Sequence, residues 1–135
     1  MVTEALGDRK IDASEELAQE LIRRASPLLA AYWEFREELG GWRLVLVPTA
    51  AGEERRLIKD ATDLLVEAPY RSTLSIFDSA IDSRQIDRAR ALGAYIRTEP
   101  YIGRRFDTTF TGGQYFESVV PVYLASELMT HLHVA

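Results

Sequence analysis

The chain has 135 residues, 47% of them hydrophobic and 27% charged, with a formal net charge of −5. A chain of this size can bury roughly two thirds of its unfolded surface without staples, and the composition is that of a globular protein. It holds no cysteine, and both histidines, His131 and His133, fall in the last five residues. That argues against thiolate chemistry, Cys/His zinc sites and the usual general base near neutral pH.

One domain over 1–135 is expected, soluble and cytoplasmic. No apolar run approaches the ~20 residues that span a bilayer, and the N-terminus lacks a basic region followed by an apolar core. Residues 1–11 read as a polar lead-in. Asp12 with Glu15 three residues on then has the form of a capping box. Leu21, Ala25, Leu28, Tyr32, Phe35 and Leu39 recur at helical spacing, which predicts a helical region reaching to Gly40. Pro27 either kinks one long helix or opens a second one capped by Ser26.

A second apolar row, Ala18, Ile22, Leu29 and Trp33, lies beside the first. A stripe that wide exceeds what a four-stranded sheet covers, which makes Ile22, Leu29 and Trp33 a candidate interface with a partner or a second copy. The alternative is that the whole stripe is core.

Trp42–Val47 is apolar at five of six positions, as in a strand covered on both faces. A loop over 48–52 leads to a helix carrying Leu57, Ile58, Ala61, Leu64 and Leu65, with Glu53 and Glu54 at its positive end. Pro69 and Tyr70 end it. A second strand is expected at Ser72–Phe77. Asp82 and Gln85 then cap a third helix with Ile86, Ala89, Leu92 and Ile96 inward. In Arg105–Thr111, Phe106, Thr108 and Phe110 alternate with Arg105, Asp107 and Thr109. Gly112 and Gly113 signal a hairpin turn before a return strand over Gln114–Leu124. Pro121 marks an edge or a bulge in that strand. Residues 125–135 read as a short helix or a loose tail.

The expected fold is α+β or α/β: an N-terminal helical region, then β-α-β-α-β-β, giving a four-stranded mixed sheet with helices packed on it.

Three constellations bear on function. Asp78 and Asp82, at the expected carboxyl end of the second strand, are candidate metal ligands of a phosphoesterase or nuclease, although each also has a local role as a turn or cap residue. Arg97, Arg104 and Arg105 are a candidate anion-binding cluster with Tyr95, Tyr101 and Phe106 interleaved. The negative net charge weighs against nucleic acid, whose binders neutralise phosphates. His131 and His133 have the spacing of a strand-borne metal pair, and equally that of a surface tail.

From Tyr32 onward the chain resembles a group of small uncharacterised bacterial α/β proteins of unknown function. The resemblance rests on Trp42–Val47, on Arg90-Ala91-Leu92 with Ile96-Arg97-Thr98, on Ile102-Gly103 and Arg105-Phe106, and on the glycine turn before Phe116-Glu117 and Tyr123. Gly112 stands where those relatives place Asn. The resemblance implies a fold and no activity. The leading expectation is a non-catalytic protein without a cofactor that acts through protein–protein contact or self-association as a homodimer, with a defence or immunity accessory as one form. The alternatives are an Arg-mediated anion or nucleic-acid module and the metal-dependent enzyme; no membrane partner is expected.

Overall fold

Leu28–Trp33 is an unbroken apolar run, and such a run serves a strand buried on both faces as well as it serves a helix. In the computed structural model, which describes residues 6–67, 70–74, 79–97 and 100–132, it is a strand. The expected long helix is therefore corrected. Helix α1 spans Asp8–Arg23 and strand β1 spans Leu28–Arg36. Ala25, with φ of 58°, turns the chain between them, and the Ser26 amide donates back to the Leu21 carbonyl at 2.9 Å. Pro27 neither kinks nor opens a helix; it leads directly into β1. Ser26 caps nothing, and its hydroxyl instead donates to Asp60 at 2.6 Å.

The remaining elements are β2 (Gly41–Pro48), α2 (Glu54–Leu65), β3 (Ser79–Ile81), α3 (Ile86–Tyr95), β4 (Phe106–Thr111) and β5 (Gln114–Leu124). Of the second expected strand, Ser72 falls in a 3-10 turn over Tyr70–Ser72, and the described strand in this region is β3 at Ser79–Ile81. Residues 75–77 of that expectation lie outside the described residues.

Among the described residues the sheet has five strands rather than four, in the order β3-β2-β1-β5-β4. Strand β1 is central and antiparallel to both neighbours, while β2 and β3 run parallel. The class is α+β, with a mixed open sheet. Pro121 sits where the β1–β5 register shifts: Tyr32 pairs with Pro121 and Ala31 with Tyr123. A residue without an N–H is tolerated there because the bulge skips a ladder bond.

Two cores result. Helices α1 and α2 cover one face, where Leu17, Leu21, Leu57 and Leu64 pack on Trp33, Leu44 and Leu46. Helix α3 covers the other, where Ala89, Leu92 and Ile96 meet Tyr32, Val45 and Phe116. Full burial of one such side chain is worth about 1.5–3 kcal/mol. The C-terminal segment folds into two 3-10 turns, Ser126–Leu128 and Thr130–Leu132, with Met129 buried between them. Gly93 permits the first to dock on α3, because a Cβ there would stand 2.9 Å from both the Cβ and the carbonyl oxygen of Leu128.

The hairpin turn forms at Gly112 and Gly113, with φ of 55° and 75°. The expected alternation along β4 breaks, however. Phe106 packs toward α3, but Thr108 has φ of 46°, after which Thr109 is buried and Phe110 is exposed. A backbone kink there shifts the inward positions by one residue.

Candidate functional site

Strand β1 places two charged side chains beyond its apolar run. Glu34 is buried at 5% exposure and projects on the α3 face with Tyr32; Arg36 follows on the same face. A charge inside an α+β core persists only with partners. Helix α3 supplies one, Arg88, itself buried at 9% exposure, whose guanidinium donates to Glu34 Oε2 and to the Tyr115 carbonyl, the latter at 3.0 Å. It also lies over the Phe116 ring, 4.2 Å from the centroid. Arg36 donates to the same Glu34 oxygen at 3.2 Å and stands 3.6 Å from Glu38.

Among the described residues, two buried polar atoms in this cluster have no hydrogen-bond partner: the Tyr32 hydroxyl and Arg88 Nε. Burial pushes the Tyr32 phenol well above its ordinary range, and the Glu34 carboxylate adds to the shift. The nearby Arg88 charge opposes it.

Two concavities flank the cluster. The larger, about 700 Å³, opens where the end of β1 meets the start of β5 and is lined by Arg36, Glu37, Glu38, Arg88, Tyr115 and Glu117. Its rim is acidic. The Glu37 amide donates to the Glu117 carboxylate at 2.8 Å, which ties the two sides of the rim together. The smaller, about 110 Å³, lies between Glu34, Arg43 and Asp82.

The candidates read from sequence separate in space. Arg97 and Arg104 share a groove of about 380 Å³ with Tyr95, Phe106 and Thr111, and Arg104 lies over Phe106 at 5.8 Å. Arg105 takes the opposite face: it stacks over Trp42 at 5.2 Å and bonds Asp107 at 2.7 Å. The three arginines do not converge. Bonds from Ser118 and Arg105 hold the Asp107 carboxyl below the usual aspartate range.

Asp82 is a cap: its carboxylate accepts the Arg84 amide at 2.9 Å and the Arg84 side chain at 3.0 Å. Those bonds hold it below the usual range as well. Asp78 lies outside the described residues, and among those described no group of three His, Cys, Asp or Glu side chains is placed to hold a metal. His131 Nε2 donates to the Ile96 carbonyl at 2.6 Å, and His133 lies outside the described residues.

The helical row of Ile22, Leu29 and Trp33 does not form. Ile22 is 40% exposed on α1, whereas Leu29 and Trp33 belong to β1 and are buried on opposite faces of the sheet. Sequence reasoning passed over Glu34, Arg36 and Arg43 because two of them were assigned to a helix. The available signal was a pair of charges two apart at the end of an apolar run, which on a strand share one face.

Compared with family models, curated proteins and solved structures, the chain matches none.

Proposed function

We propose that this chain is a non-catalytic interaction protein whose docking face is the acid-rimmed cavity between β1 and β5, taking a basic segment of another protein. One observation carries the reading. Both arginines lining the cavity are engaged by Glu34 inside the chain, whereas the Glu37 carboxylate has no partner among the described residues. A cationic side chain entering there meets carboxylate that no internal cation neutralises. Complementary charge of this kind steers encounter and fixes register, and the net charge of −5 acts in the same direction. A bacterial defence or immunity accessory role is one form of the same proposal.

A fluorescent peptide of alternating Arg and Ser tests it by anisotropy. Binding at low salt should weaken as salt rises. Replacing the exposed pair by Glu37→Arg and Glu38→Arg should lower affinity about tenfold or more, which is ~1.4 kcal/mol. No binding at low salt, or binding indifferent to both charge reversals, would overturn the reading.

The Arg97–Arg104 groove supports a second reading, a phosphate-bearing ligand such as single-stranded nucleic acid, because two guanidinium groups and two aromatic rings line one trough. Replacing Arg97 and Arg104 by Ala should then reduce the salt slope of oligonucleotide binding by about one log unit per lost phosphate contact.

A further inference from the structure

Arg43 is half-buried in β2, and among the described residues no side chain forms a hydrogen bond or ion pair with it. Its Cα partner across the β1–β2 ladder is Glu34. A cross-strand acid of opposite sign is the expected neighbour for it. Glu34, however, spends its bonded oxygen on Arg88 and Arg36. The other carboxylate nearby, Asp82, is bonded to Arg84 through both oxygens. Arg43 has therefore lost part of its water without gaining an acceptor, and such an arrangement costs free energy unless something from outside completes it.

The space beside it fits that need. Arg43, Arg36, Val45 and Ala80 line the smaller cavity of about 110 Å³, together with the neutralised Glu34 and Asp82. That volume suits one compact polar group and no large ligand. A guanidinium presents a planar fork of donors that matches the two oxygens of a carboxylate or phosphate.

We propose that this cavity is a binding site for a compact oxyanion, a carboxylate or a phosphate group, held by the Arg43 fork, with Arg36, itself bonded to Glu34, also lining it. The site shares Arg36 with the acid-rimmed cavity but does not depend on a basic partner.

The test uses the full chain labelled with ¹⁵N, titrated separately with sodium phosphate and sodium acetate against sodium chloride at constant ionic strength. The Arg43 Nε–Hε signal, assigned by its loss in Arg43→Gln, should shift and saturate with at least one oxyanion and not with chloride. Saturation by phosphate alone identifies a phosphate group, by acetate alone a carboxylate, and by both the shared oxyanion chemistry. Arg43→Lys keeps the charge and loses the fork, so thermal stabilisation by the anion should weaken in it, while Arg55→Gln, at an exposed arginine of α2 outside the cavity, should retain it in full. No saturable shift of the wild-type signal with either oxyanion overturns the site. So does stabilisation that survives intact in Arg43→Gln.

Discussion

The indole nitrogen of Trp33 donates to the hydroxyl of Ser14 at 2.9 Å, and that hydroxyl donates onward to the Ile11 carbonyl at 2.8 Å. Both side chains are buried at 1% exposure. A relay of two bonds thus fastens α1 to the central strand inside an otherwise apolar layer. Ser14→Ala leaves the indole N–H buried without an acceptor, which costs about 1–3 kcal/mol. Urea unfolding should report that loss with an unchanged slope. A variant as stable as the parent would mean that the indole finds another acceptor.

Replacing Arg88 by Met removes the cation that faces Glu34 in the core. A buried carboxylate stripped of every partner costs about 3–5 kcal/mol, whereas replacing both members by apolar groups is often close to neutral. Arg36 stays bonded to Glu34, so Arg88→Met should be destabilised by less than that range, and Glu34→Leu in the same chain should restore most of the loss. A double variant no better than the single one would show that Arg88 acts through Phe116 and the Tyr115 carbonyl rather than through Glu34.

Tyr32→Phe deletes a buried hydroxyl that has no hydrogen-bond partner among the described residues. Stability at neutral pH should hold or rise, by up to ~1 kcal/mol. The raised pKa of the phenol adds a pH signature. A group whose folded pKa lies above its unfolded value contributes stability below the ordinary tyrosine value of 10.0, and that stability is lost as pH rises. The Phe variant should lack this alkaline loss. A drop in stability at pH 7 would count against an unpaired hydroxyl.

Asp82 and Asp107 bear on the acid limb. Their folded-state pKa values are lowered by Arg84 in one case and by Ser118 with Arg105 in the other. Stability from a lowered carboxyl is present above the ordinary value of 3.8 and disappears as pH falls through the folded value. Asp82→Asn and Asp107→Asn should thus be slightly less stable than the parent at pH 6 and equal to it in strong acid. Asp107 is well exposed, so its effect should shrink in high salt. A difference that grows on acidification would contradict this assignment.

The sequence was most legible where one residue type permits one backbone. Gly112-Gly113 could only turn with positive φ, and it did; Asp82 was legible as a cap, although it caps the 3-10 turn Ser83–Gln85 that leads into α3, and Gln85 stands at the start of α3 without a side-chain cap bond. It was least legible at Leu28–Trp33, where leucine and alanine suit a helix and only long-range pairing makes a strand. That local ambiguity concealed the candidate site, because Glu34 and Arg36 share a face on a strand and diverge on a helix. The Arg cluster failed for a related reason: Arg104 and Arg105 are adjacent where the chain becomes extended, so one lies over Phe106 and the other over Trp42 on the opposite face. Nothing local marks Thr108 as the kink that turns Phe110 outward.

The central place of β1 also sets an order of events during synthesis. Its β2 partner follows almost at once through the Glu37–Leu39 turn, but the other edge of β1 stays unpaired until Gln114–Leu124 has been made. For that interval the nascent chain presents Ala30, Tyr32 and an open row of backbone donors and acceptors to anything that binds extended peptide. Holding factors that recognise apolar strands should therefore engage this protein before its last strand leaves the ribosome and release it afterwards.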